Sequence, residues 1–223
     1  MSKNVLFIAP HPDDETLGCG GTIYRHLEQG DRVHWLIVTG MSVDGGFSLD
    51  RIASRAREIE IAARQYSFTS VHKLDLPTTK LDEIGMSKIV EKMSAAMLSV
   101  QPEVIYAPYP GDVHTDHKFV FDAIISCTKW FRYSFVKRIL AYETLSETEF
   151  GLNPDTNGFR PNVYVDISKY LERKLEVMRI FESEVGSFPF PRSEQTIRSL
   201  AYVRGSTAGV EAAEAFMLLK EVL

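Results

Sequence analysis

The first strong pattern in the chain is an unbroken apolar run, Val5-Leu6-Phe7-Ile8-Ala9. A short run rich in strand formers, without polar alternation, predicts a strand buried on both faces. Further strands are predicted at Val33 to Thr39, Val71 to Leu76 and Val104 to Ala107. Helical spacing fills the gaps between them. Glu15 to Gln29 carries Leu17, Thr22, Ile23 and Leu27 on one stripe and meets a stop at Gly30. Arg51 to Tyr66 repeats the pattern with Ile52, Ala56, Ile59, Ala62 and Ala63. A third helix from about Asp82 to Val100 turns Ile84, Ile89, Met93, Ala96 and Met97 inward, and a fourth runs from Phe119 to Phe131. Strands alternating with helices imply right-handed crossovers and a mostly parallel sheet, an α/β fold.

The second half is less regular. Ile139 to Tyr142 and Val163 to Ile167 read as strands, and Ser168 as the N-cap of a long helix from Lys169 to Glu184. Phe188 to Arg192, with two prolines, reads as a loop, and Thr196 to Val203 as helix. Val210 to Leu223 is divided: its Ala and Glu content favours helix, while Ala215 to Leu219 suits a buried strand. Gly40 to Asp50, with three glycines, reads as a loop, and Thr144 to Arg160 carries no assignable pattern. Trp35, Trp130 and Phe131 fall at core-like spacing. No repeat or linker interrupts the chain, so residues 1–223 are expected to form one domain.

Composition narrows the class. With 223 residues, 44% hydrophobic and 25% charged, the chain is an ordinary globular one. A formal net charge of -5 excludes a phosphate-backbone binder, so no nucleic-acid partner is expected. No apolar run approaches the roughly 18 residues of a membrane span, so no membrane partner is expected either. The N-terminal apolar run is too short for a secretory signal. Cys19 and Cys127 are too far apart in sequence to read as a disulfide framework, and a reducing, cytoplasmic setting is the expectation.

Two polar clusters change the picture. Directly after the first strand comes His11-Pro12-Asp13-Asp14-Glu15, and after the fourth comes Asp112-Val113-His114-Thr115-Asp116-His117. Ligands in open α/β sheets bind at the carboxyl ends of strands. Pro10 and Pro12 stiffen a backbone that concentrates carboxylates beside an imidazole, which calls for a positive charge, and a metal ion is the obvious one. If the two strand ends are neighbours, His11, Asp14, His114 and His117 meet in one cleft. Two histidines and a carboxylate suit catalytic zinc and equally non-haem Fe(II). The usual Fe(II) oxygenase scaffold is a β-sandwich, which this pattern does not support. Asp13 is the natural base for a metal-activated water. One of the two later histidines could bind the metal while the other stabilises an oxyanion, with Asp116 orienting a histidine. Gly18, Gly20 and Gly21 invite a dinucleotide reading, but the three carboxyl groups before them would repel a pyrophosphate. The glycines instead mark close approach of backbone or ligand. Cys19 reads as a small packed residue, and His26, His34 and His72 as structural.

The segment HPDDETLGCGGTI with His114-x-x-His117 resembles the LmbE-like or PIG-L family of zinc-dependent N-deacetylases. Arg55-x-x-Glu58-x-x-x-Ala62 and Ala213-Glu214-Ala215-Phe216, after Arg204-Gly205, are similar to two further motifs of that family. Tyr66-Ser67 departs from its usual Leu-Gly. The resemblance implies a Rossmann-like, three-layer αβα fold and hydrolysis of N-acetylglucosaminyl amides. It implies His11, Asp14 and His117 as zinc ligands, Asp13 as base and then acid, and protonated His114 as oxyanion stabiliser held by Asp116. Arg55 would contact substrate. The expected partner is a small amino-sugar substrate, and because some members of the family form homo-oligomers, a monomer is not assumed. The rival readings are an amidase acting on a thiol conjugate or antibiotic intermediate, and a sugar- or nucleotide-binding module without catalysis.

Overall fold

The computed structural model describes residues 2–152 and 158–223. Its centre is a seven-stranded sheet ordered β3-β2-β1-β4-β5-β7-β6, where β1 is Asn4–Ala9, β2 Arg32–Gly40, β3 Ser70–Pro77, β4 Val104–Pro108, β5 Arg138–Tyr142, β6 Val163–Asp166 and β7 Ala213–Glu221. The first five strands are parallel, and β7 runs antiparallel between β5 and β6. The sheet is thus mostly parallel, within an α/β architecture.

The strands read as unbroken apolar runs because each face has its own core. On β1, Val5, Phe7 and Ala9 enter one core and Leu6 and Ile8 the other. The first core is closed by α1 (Asp14–Glu28), α2 (Leu49–Tyr66), α5 (Leu171–Met178) and α6 (Glu194–Ala208), through Ile23, Ile59, Leu175 and Ile197. The second is closed by α3 (Met86–Val100) and α4 (Thr115–Ser126), through Ile89, Met93, Val120 and Ile124. Three layers result. The chain reverses its build direction from β3-β2-β1 to β4-β5, so the switch point lies between β1 and β4, where a cleft opens at the strand ends.

Several boundaries differ from expectation. The helix expected from Asp82 splits into a 3-10 turn, Leu81–Glu83, and α3, because Gly85 interrupts it and Asp116 holds the turn through the Thr79 and Leu81 N–H groups. The helix expected from Phe119 begins at Thr115 with His114 as its N-cap. Ser168 does not cap α5. Its hydroxyl donates to Asp166 Oδ1 at 2.6 Å, and the helix starts at Leu171 and stops at Met178, where i→i+3 bonds close the last turn. The divided tail is a strand: Phe216 is fully buried and β7 fills the place between β5 and β6. Trp35 is core, but Trp130 and Phe131 are 75% and 62% exposed, standing on the turn after α4. The glycines of α1 serve close packing against side chains. A Cβ on Gly18 would lie 2.3 Å from Tyr142 Cδ2, and one on Gly21 2.5 Å from Ile167 Cβ.

Candidate metal centre and active site

Parallel pairing of β1 with both β2 and β4 brings the two clusters together. The loop after β1 is pinned from both sides. The Pro10 carbonyl accepts the Thr39 N–H at 3.0 Å and its hydroxyl at 2.8 Å, and the Pro12 carbonyl accepts Arg55 Nη1 at 2.9 Å. Asp13 then takes φ 132°, a conformation L-residues rarely adopt, and its carbonyl receives the N–H groups of Thr16 and Leu17 to start α1. A strained backbone at this point aims successive carboxylates apart. Asp14 turns to the histidines and Asp13 does not.

His11, Asp14 and His117 each offer one ligand atom, all within 4.8 Å of one another. His11 Nδ1 lies 3.3 Å and His117 Nε2 3.4 Å from Asp14 Oδ2. His117 is fully buried, its Nδ1 is 2.8 Å from Asp112 Oδ2, and its Nε2 has no hydrogen-bond partner among the described residues. A buried imidazole whose far nitrogen is tied to a carboxylate and whose near nitrogen is orphaned beside a carboxylate is the arrangement of a metal ligand. These residues therefore fit a divalent cation. Their electrostatics agree. Burial alone would lift Asp14, yet His117 and His11 hold its carboxyl well below the usual range. Burial opposes charge on His11 and His117, but hydrogen bonds that the His11 ring donates to Asp116 and Asp14 lift His11 to about 9, and Asp14 and Asp112 lift His117 well above its ordinary value. A cation held there would compete with protons for the same imidazole nitrogens.

The remaining residues surround this set. The Asp13 carboxyl is buried, and burial first, then the charge on Asp14, push it well up from its usual value. Glu184 and Arg192 stand beside it: Arg192 Nη1 is 3.8 Å from Asp13 Oδ2, and its Nη2 is 3.2 Å from Glu184 Oε2. His114 stacks edge-on against His11 with ring centres 4.6 Å apart. As the α4 N-cap its Nδ1 accepts the Asp116 N–H at 3.1 Å, which assigns the proton to Nε2. Burial, then the neighbouring histidines, hold it down to about 4, which with the Nδ1 acceptor leaves Nε2 as the donor of the ring. The histidine that the Asp116 side chain reaches is His11. The carboxylate meets His11 Nε2 at 3.1 Å and two backbone N–H groups, not the His114 ring. The guanidinium of Arg55 is engaged by the protein on three sides, with the Pro12 carbonyl, Glu58 and Glu184, which leaves it holding the loop.

Asp112, Glu147, Glu184 and Arg192 had no assigned role in the sequence reading. Only Asp112 carried a signal, its place five residues before His117. Glu147 lies in the segment that showed no pattern, whose residues 153–157 fall outside the described ones. Cys19 is packed in the core, and His26, His34 and His72 have side-chain partners of their own in Asp31 and Ser70.

His11, Asp13, Asp14, His114 and Arg55 all line one cleft of about 390 Å³. A doubly covered, mostly parallel sheet with a His-Asp-His set and a free carboxyl at its switch point defines a metallohydrolase-like site on an α/β frame. Residues 6–128 match the family model for GlcNAc-PI de-N-acetylases, PIG-L, and the chain belongs to that family. It is 29% identical over 226 residues to a diacetylchitobiose deacetylase of Thermococcus kodakarensis, covering 95% of this chain and 81% of the relative. A probable N-acetyl-alpha-D-glucosaminyl L-malate deacetylase 2 of Bacillus cereus is 26% identical over 133 residues, 56% of this chain and 60% of that one. The solved structure of N,N'-diacetylchitobiose deacetylase from Pyrococcus horikoshii superposes with a TM-score of 0.77 at 24% identity, covering 98% of this chain and 84% of that one. No described helix is long and apolar enough to cross a membrane.

Proposed function

We propose that the protein is a zinc-dependent N-deacetylase that hydrolyses the acetamide of an N-acetylated amino sugar, with His11, Asp14 and His117 as metal ligands. The observation that carries this is the orphaned, buried Nε2 of His117, aimed at Asp14 and backed by Asp112. A diacetylchitobiose deacetylase and a probable N-acetyl-alpha-D-glucosaminyl L-malate deacetylase among the relatives support the substrate class. The cation, when bound, acts as a Lewis acid on a carbonyl oxygen and acidifies water.

The chain's own residues do the rest. Asp13, kept out of the ligand set and raised by burial, accepts a proton from the attacking water and returns it to the leaving amine. His114 donates from Nε2 to the carbonyl oxygen as negative charge develops there. Asp116 positions His11, Asp112 positions His117, and Arg55 fixes the loop that carries Asp13. Purified protein is expected to hold near-stoichiometric divalent metal and to release acetate from an N-acetylglucosaminide, and a chelator is expected to abolish release until metal is restored. A chain that takes up no metal even after reconstitution would overturn this reading.

The contact of Asp112 with His117 makes a second prediction. Asp112→Asn keeps the shape but not the charge that orients and strengthens the imidazole. Metal affinity, read by competition with a chromogenic chelator, is expected to fall about 10–100-fold. An unchanged affinity would remove Asp112 from the site.

A further inference from the structure

Among the described residues, Arg192 is the only ion-pair partner of the Asp13 carboxylate, with Nη1 3.8 Å from Oδ2. That distance lies beyond a hydrogen bond, so the contact is one of charge. The charges on Asp14 and Glu184 bear on the same carboxylate and repel it. Arg55, the other cation nearby, is engaged by the Pro12 carbonyl, Glu58 and Glu184. Attraction to Arg192 therefore decides where the Asp13 side chain points.

Arg192 is itself held. Its Nη2 is 3.2 Å from Glu184 Oε2, and its guanidinium carbon lies 5.6 Å from the centre of the Phe190 ring. The next residue, Ser193, is the buried N-cap of α6 and accepts the Thr196 N–H at 3.2 Å. Glu184 ends a 3-10 turn, where it accepts the Ser183 hydroxyl at 2.9 Å and a bond from Arg55. The contacts close a ring that runs from the Pro12 carbonyl through Arg55, Glu184 and Arg192 to the Asp13 carboxylate. One arm fixes the backbone just before Asp13 and the other its side chain, on either side of the φ 132° residue. A base must lie within hydrogen-bond reach of the proton it takes, and a displacement of about 1 Å costs roughly 100-fold.

We infer that Arg192, mounted on Glu184, is a positioning residue that aims the Asp13 carboxylate. This rests on the deacetylase reading and adds a residue to that same site.

The test is acetate release from an N-acetylglucosaminide by Arg192→Met, Arg192→Lys and Glu184→Gln, each made in the parent and in Asp13→Asn. Metal content and thermal midpoint are measured alongside. Arg192→Met is expected to lower kcat about 10–100-fold, with KM and metal content held. Arg192→Lys is expected to regain at least about threefold of that loss, because an ammonium restores the charge without the planar fork. Glu184→Gln is expected to lose less, in the same direction. In Asp13→Asn none of the three is expected to lower kcat by more than about twofold, since there is no base left to aim. A loss carried by KM, or one of equal size in Asp13→Asn, overturns the positioning role, as does a parental kcat in Arg192→Met. If Arg192→Met does not fold, Glu184→Gln decides by the same rule: a loss that vanishes in Asp13→Asn supports the role, and one that persists overturns it. Each of these outcomes leaves the deacetylase intact. Asp13→Asn at the parental rate overturns the base assignment, and a parent that releases no acetate overturns the deacetylase reading; either takes this inference with it.

Discussion

Asp13→Asn is expected to retain the fold and the metal and to lose two to four orders of magnitude in kcat, the range that one positioned acid–base group supplies. Asparagine is the right replacement here. Asparagine has nearly the shape of aspartate, so at a backbone already held at φ 132° the amide removes the proton acceptor without changing the size of the side chain. The change should also leave the ligand set alone, because Asp13 contacts neither His11 nor His117 and its nearest charged partner is Arg192 at 3.8 Å. Metal content and thermal midpoint would be measured beside acetate release, so that a fall in kcat can be assigned to chemistry. Besides the proposed ligand Asp14, three other carboxylates, Asp75, Glu147 and Glu184, line the same cleft. Turnover close to the parent's in Asp13→Asn would pass the role of base to one of them. Glu184 is a weak alternative, since its carboxylate is held by Arg55 and Arg192, which keep it below its ordinary value against the effect of burial.

The strands and their carboxyl-end clusters were legible because burial on both faces leaves unbroken apolar runs, and a run ending in His-Pro-Asp-Asp cannot continue into a core. What the sequence left conditional was adjacency. His11 meets His117 only because β1 pairs with β4, which depends on the chain reversing its build direction after β3. The tail was ambiguous for a related reason. Helix propensity is local, whereas the vacancy between β5 and β6 that makes Ala213–Glu221 a strand is a property of the whole sheet. Trp130 and Phe131 stand exposed despite their core-like spacing, because spacing says nothing of which way a turn faces. Arg192 and Glu184 come to Asp13 from a loop some 170 residues downstream, and no local pattern announces such a contact. The two histidine roles differed in kind. The approach of His11, Asp14 and His117 follows from spacing once the strands are placed, while the tautomer of His114 follows from one hydrogen bond from a backbone N–H.

The most structural of the motifs makes the last prediction. Glu214, in the Ala-Glu-Ala-Phe segment, is buried against the side of α1, where it accepts the Gly21 N–H at 3.0 Å, the Thr22 N–H at 2.8 Å and the Thr22 hydroxyl at 2.6 Å. Lys174, also buried, donates to Glu214 at 2.7 Å and to the Leu17 carbonyl at 2.8 Å. The ion pair is thus inserted into the flank of the helix whose first turn carries Asp14. Removing one member leaves a buried charge without its partner, so Lys174→Met is expected to cost about 3–5 kcal/mol. In a domain of this size that lowers the thermal midpoint by roughly 6–20 °C. The pair should be strongly non-additive. Adding Glu214→Gln to Lys174→Met discharges the orphaned carboxylate yet keeps an oxygen for the Thr22 N–H, so the double variant is expected to melt higher than Lys174→Met alone. Glu214→Leu should be the worst single change, because it strands the ammonium and two helix N–H groups together. Costs that simply add, or a Lys174→Met protein as stable as the parent, would mean that the pair does not brace α1. The metal site would then owe its geometry to the pinned loop alone.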